Sequence, residues 1–252
     1  MNEIIKQYFE FVLASLGYPI DDILWSLSHC QGDGMRFTGR IDARVVAKRL
    51  LRNRPVFLGL ALSAIGKGER ITISALRSSN YVHENTMEAD RSLDTALTLA
   101  EDKAMSLLLS LVGEDIVSVS MNLRNKGYAI LNSSPYGAEV LMRREIGEIT
   151  AKVMVDRDEF FPAPESGEVL FDVADLFAFA NGRSSAVAVS VAVEHGGIEV
   201  GSANCGGYSA SGRWEDLLSQ ADFQALSREL LADACAEARQ RLGATKAGRA
   251  SA

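Results

Sequence analysis

Pairs of alternating apolar stretches joined by glycine turns, each set followed by a long helical stripe, occur twice along this chain. That order restricts it to folds in which helices pack on antiparallel sheets. In the first half, Leu24, Ser26 and Ser28 alternate with Trp25 and Leu27, and Met35, Phe37 and Gly39 alternate with Arg36 and Thr38, around the tip Gln31-Gly32-Asp33-Gly34. This is the pattern of a β-hairpin. Asp42 caps an expected short helix over 43–52, Pro55 breaks the chain before an alternating apolar stretch over 56–65 read as a strand, and Gly66-Lys67-Gly68 turns into a return strand containing Ile71 and Ile73. Ser92 with Asp94 then opens a helix whose stripe of Ala96, Ala100, Ala104, Leu107, Leu108 and Leu111 ends at Gly113. Residues 116–131 fit either a strand or a further helix.

The second half follows the same plot: a strand over 148–160, a short helix over 172–179, a strand over 186–193, a turn at His195-Gly196-Gly197, a return strand over 198–202 and a helix over 219–242 with Ser219 and Asp222 at capping-box spacing. An offset that lays Ile71 on Ile198, Ile73 on Val200 and Tyr81 on Tyr208 needs no gap, which raises an internal duplication of a β-α-β-β-α unit against the alternative of two unrelated α+β units. The expectation is an α+β protein with helices on one face of antiparallel sheets. Its divisions are a subdomain over 1–132 opened by an amphipathic helix (Ile4, Ile5, Tyr8, Phe9, Val12, Leu13), a linker over 133–145, a second subdomain over 146–243 and a frayed tail over 244–252.

With 252 residues, 47% of them hydrophobic, the chain has ample material for a core. Its 26 Lys and Arg against 33 Asp and Glu leave a net charge of −7, the wrong sign for a general nucleic-acid binder. Three cysteines, Cys30, Cys205 and Cys235, lie far apart without a Cys-x-x-Cys, so they read as small core residues of a protein in a reducing compartment. Charges interrupt the N-terminal apolar stretch, and the longest near-apolar run, 56–66, is far short of a membrane span. A cytoplasmic location with no membrane partner is expected.

The usual catalytic signatures are incomplete. His83-Glu84 lacks the second histidine of a zinc protease, Gly66-Lys67-Gly68 lacks the frame of a phosphate loop, and Ser211 stands where a nucleophile elbow needs glycine. Two polar loops remain. Gly32 and Gly34 flank Asp33, so either an ordinary Asp-Gly turn or a small anion-binding nest with Asp33 projecting outward fits the tip. Tyr81, His83 and Glu84 lie past a return strand, where an imidazole beside a carboxylate serves acid–base or ligand chemistry, or simply bonds its own loop. Arg40, Arg44, Lys48, Arg49, Arg52 and Arg54 crowd one short stretch, and Arg44, Lys48 and Arg52 are spaced to share a helix face, either a solvated side or the seat of an anionic partner.

The string Leu24 to Gly39 resembles a hairpin motif of a family of uncharacterised bacteriophage and prophage proteins, with Gln31, Gly32, Asp33, Gly34, Phe37 and Gly39 matching, while His29 and Cys30 stand where an aromatic residue and a serine are usual. Tyr81-Val82-His83-Glu84 is similar to that family's Tyr-x-His-Glu segment, and Asn125-Lys126-Gly127-Tyr128 to its Asn-Gly-Tyr element, so the resemblance covers about residues 1–132. It implies a mobile-element origin and a shared fold, and no particular reaction. The resulting expectation is a phage-type accessory or regulatory protein that binds a host or phage protein through Gln31, Gly32, Asp33, Gly34, Arg36, Arg44, Tyr81, His83 and Glu84, without a cofactor or metal. The alternative is a binder or hydrolase of a small, nucleotide-like anionic ligand that uses the Asp33 and His83 loops.

Overall fold

The computed structural model describes residues 2–76, 86–92, 96–157 and 171–250. Tyr81, His83 and Glu84 lie outside the described residues, as does the Ser92–Asp94 helix start beyond Ser92 itself. The chain divides into two compact units, residues 6–128 and residues 129–252 together with the first five. Each contains one four-stranded antiparallel sheet, so the protein is α+β.

Helix α1 (Asn2–Leu16), which enters the first unit at Lys6, ends at Gly17, whose φ of 82° is open to glycine and costly for other residues. Strands β1 (Asp22–Ser26) and β2 (Gly34–Arg40) form the expected hairpin, in register from Asp22 opposite Thr38 to Ser26 opposite Gly34. Two helices follow, α2 (Ala43–Leu50) and α3 (Pro55–Gly66), and then β3 (Arg70–Ala75) and β4 (Met87–Ser92) complete the order β1-β2-β3-β4. Asp42 caps α2 as the sequence suggests, its carboxylate accepting the Arg44 and Val45 amides at 3.0 and 3.1 Å.

Residues 56–65, read as a strand, are helical. Pro55 sits in the first turn of α3, where its missing N–H is harmless, and the run is rich in Leu and Ala rather than β-branched residues. A short run that is apolar on every side does not show its period.

The long helix also departs from expectation. α4 (Leu99–Leu131) runs straight through Gly113 and absorbs the ambiguous residues 116–131. A mid-helix glycine costs about 1 kcal/mol relative to alanine, and burial of Ala104, Met105, Leu108, Val112, Ile116 and Leu123 along one side outweighs it. The start is a capping box six residues later than Ser92: the Glu101 amide donates to the Thr98 hydroxyl, and the Thr98 amide donates to the Glu101 carboxylate at 2.8 Å. Ser120 ties α4 to the sheet by donating to the Met35 carbonyl.

The second unit carries β5 (Glu139–Ile146), β6 (Ile149–Asp156), α5 (Val173–Ala180), β7 (Ser184–His195) and β8 (Ile198–Ser211). A 3-10 turn (Trp214–Ser219) then leads into α6 (Ala221–Ala250). The strand order is β5-β6-β7-β8. Val153, Val155, Val187, Val189, Val191 and Val193 form one apolar face, packed against Phe223, Leu230, Ala234 and Ala238 of α6. The expected linker is therefore largely structure: Ser133, Ser134 and Pro135 are buried, and residues 139–146 are a strand. The expected tail is likewise helical backbone as far as Ala250.

The two units share a consecutive strand order with helical segments between the second and third strands and a long helix after the fourth. The offset suggested by sequence does not describe that likeness. It lays Ile71 of the third strand in one sheet on Ile198 of the fourth strand in the other.

Candidate functional site

Asp33 does not project from the hairpin tip; it is folded inward and 5% exposed. Its Oδ1 accepts the Ser26 and Ser28 hydroxyls, both at 2.9 Å, and the Cys30 thiol at 3.3 Å. Its Oδ2 accepts the Cys30 amide at 2.9 Å and the Tyr128 hydroxyl, which arrives from α4. A backbone bond from the Asp33 amide to the Cys30 carbonyl closes a four-residue turn centred on Gln31 and Gly32. Neither Gly32 nor Gly34 has a positive φ, so the glycines form no nest of the expected kind. The left-handed residue is His29, at φ 60°, the only non-glycine with positive φ among the described residues.

These contacts fix the electrostatics. Burial works against ionisation of Asp33, but the hydrogen bonds from Tyr128, from the Ser28 backbone and hydroxyl and from Ser26 outweigh it and hold the carboxyl well below its usual range. Burial and the Asp33 carboxylate push the Tyr128 hydroxyl up, so it remains a donor. The His29 ring stacks on Tyr128 with centroids 4.5 Å apart. A Cβ added to Gly127 would stand 2.7 Å from Leu27 Cδ1, so glycine lets the hairpin approach α4.

The hairpin tip and the 125–128 segment thus meet in space as a self-satisfied anchor. Ser26, Ser28 and Tyr128 complete it, and no local sequence pattern marks any of the three as a partner of Asp33. Cys30, expected in the core, is exposed, while Cys205 and Cys235 are half-buried, and all three are free thiols. Gln31 is exposed, and Arg36 is half-buried opposite Leu24.

A different concavity gathers the basic residues. A cleft of about 520 Å³ is lined by Arg40 at the end of β2, Asp42 and Arg44 at the start of α2, and Glu69 and Arg70 at the start of β3. Antiparallel pairing of Arg40 with Thr72 brings the two strand ends together, and Arg44 reaches the end of α3, its Nη2 4.0 Å from the Cβ position of Gly66. Arg40, Arg44 and Arg70 are exposed and make no ion pair among the described residues. Of the carboxylates present, Asp42 is engaged in capping α2, and Glu69 is 2% exposed.

Lys48 and Arg52 continue the exposed basic face beyond Arg44, as their spacing predicts. Arg49 belongs elsewhere: it grips Asp115 of α4 through two hydrogen bonds of 3.0 and 2.7 Å, while Tyr18 donates to the same carboxylate at 2.5 Å. Arg70 was missed because only the strand register, invisible in a local pattern, brings it to Arg40.

No group of three or more His, Cys, Asp or Glu side chains suited to a metal ion occurs among the described residues. Among the described residues one helix, α4, is long and apolar enough to cross a membrane by length and composition, and it also supplies core residues to the first unit. No family model, no curated protein and no solved structure matches the chain.

Proposed function

We propose that this chain is a phage- or prophage-type accessory protein of the host cytoplasm that recognises an anionic group of its ligand or partner in the cleft between Arg40, Arg44 and Arg70. The observation that carries this reading is the convergence of three guanidinium groups from three separate elements on one concave surface, without an ion pair among the described residues, in a chain of net charge −7. Guanidinium forks suit phosphate and carboxylate oxygens, and their charge is independent of pH in the physiological range. The position moves the binding reading away from the hairpin tip. Asp33 offers no acid–base chemistry to a hydrolase, because five donors occupy its oxygens.

The test is calorimetric titration with inorganic phosphate and with ATP as probes. Binding to the native chain and a loss of about tenfold to a hundredfold in Arg44→Glu and Arg70→Glu, the range for a hydrogen bond to a charged group, are expected. Arg239→Glu on the exposed face of α6 serves as the control and retains binding. Absence of heat with both probes, or equal affinity in all four proteins, rejects the cleft.

A further inference from the structure

Among the described residues, the β5 strand stands at the edge of the second unit's sheet, with its outer backbone groups unpaired by any other strand. Natural edges are blunted, since an open row of N–H and C=O groups is a template for another strand. Yet β5 is eight residues long, and Ile146 and Met142 on it are 66% and 38% exposed. A bulge between Val140 and Met142 turns Leu141 against the core and leaves Met142 to Ile146 as the regular outer segment.

The order of side chains on that segment is complementary to itself. With Arg144 on a two-fold axis, antiparallel pairing of two copies sets Arg143 opposite Glu145 and Met142 opposite Ile146, each twice. Arg143 and Glu145 already lie within 2.5 Å in one chain and are 58% and 60% exposed, so they can form a four-charge cluster across the axis. Met142 lines an apolar groove of about 350 Å³ with Leu218, Gln224, Ser227, Arg228 and Leu231. The period of two puts Ile146 on the same face of the strand. A partner's Ile146, opposite Met142, is placed at the mouth of this groove, which also holds the buried Ser227 hydroxyl.

We propose that β5 is a self-association edge, through which two copies of the chain join their C-terminal sheets into one continuous eight-stranded sheet. The charges that guard this edge against indiscriminate pairing select a second copy as its partner. The paired Arg144 residues are the unfavourable element, since like charges directly opposite destabilise a strand pair. Arg144→Thr therefore tightens the dimer.

Sedimentation velocity on the full chain over a concentration series tests this edge. The native chain and Arg144→Thr show a dimer of the 27.2 kDa protomer, the latter persisting to lower concentration. R143E presents only acids and E145R only bases at the paired positions, so each alone sediments as a monomer, an equimolar mixture restores the dimer, and R143E/E145R dimerises with itself. Circular dichroism and unfolding midpoints close to native establish that the single variants are folded. A native chain that stays monomeric throughout, single variants that dimerise unmixed, or a mixture that remains monomeric overturns the proposal. A variant that fails the folding control is replaced by Ile146→Lys, which must give a monomer for the proposal to stand.

Discussion

The Tyr128 hydroxyl donates to the Asp33 carboxylate across 95 positions of sequence and joins the β1–β2 hairpin to α4. The carboxylate is buried and also serves the amide and thiol of Cys30 and two serine hydroxyls, so the aspartate holds the loop in one conformation while its own charge is compensated.

Tyr128→Phe removes one charge-assisted hydrogen bond and keeps the ring that stacks on His29. A loss of about 1.5–3 kcal/mol is expected, read as a lower denaturant midpoint at unchanged slope. Asp33→Ala strands several donors at once and costs more. If Asp33→Ala unfolds at the native midpoint, the anchoring role is wrong.

Acid weakens the first unit through its hydrogen-bonded carboxylates. Lys67, the Thr98 amide, and the Ser63 and Thr98 hydroxyls pull Glu101 from its ordinary 4.5 to about 2, and the Asp33 carboxyl is also depressed. A depressed folded-state value means that the unfolded chain binds the proton first. The stabilisation is therefore complete above the ordinary carboxylate range and lost as pH falls from about 4.5 towards 2. Urea midpoints measured through this window fall steeply in the native chain and less steeply in Glu101→Gln, which starts lower at neutral pH.

Gly201→Ala disrupts the second unit sterically. A Cβ at this position of β8 would stand 2.2 Å from the Ala234 carbonyl oxygen and 2.8 Å from the Ala238 amide nitrogen, both backbone atoms of α6. Neither can swing aside as a side chain does, so the helix must shift off the valine face. A cost at the upper end of the roughly 1–3 kcal/mol of overpacking is expected, with Gly113→Ala as a contrast because nothing lies within 4 Å of its added Cβ. Thermal unfolding of the two variants should move in opposite directions, since alanine is favoured over glycine in a helix interior with room for its methyl group.

Salt distinguishes the proposed cleft from an apolar seat. The guanidinium groups of Arg40, Arg44 and Arg70 are exposed, so phosphate or ATP affinity falls as ionic strength rises and the Debye length shrinks from ~10 Å at 0.1 M to ~3 Å at 1 M. Titrations in matched buffers with added chloride measure this; an affinity indifferent to salt contradicts the assignment.

Local patterns carried the hairpin, the Asp42 cap, the turns and the amphipathic helices, because each depends on neighbours within a few residues. They failed where an apolar run showed no period, as in α3, and where tertiary burial overrode a breaker, as at Gly113. Asp33 was recognised as exceptional, but its role was not legible, since Tyr128 lies 95 positions away and no spacing rule connects them. The same limit hid Arg70 from Arg40. Asp33 and Tyr128 are direct partners, which makes the hairpin tip and the 125–128 segment a means of joining two elements.

Ser120, Gly127 and Tyr128 all act from the uninterrupted helix α4, one bonding the sheet, one admitting Leu27 and one bonding Asp33. Inserting or deleting a single residue between Ser120 and Tyr128 rotates everything downstream by about 100°, so the hydroxyl of Tyr128 would swing out of reach and a larger side chain would replace Gly127 under the hairpin. The length of that stretch of α4 is therefore fixed by the three contacts it must place, whereas its outward-facing side chains are not.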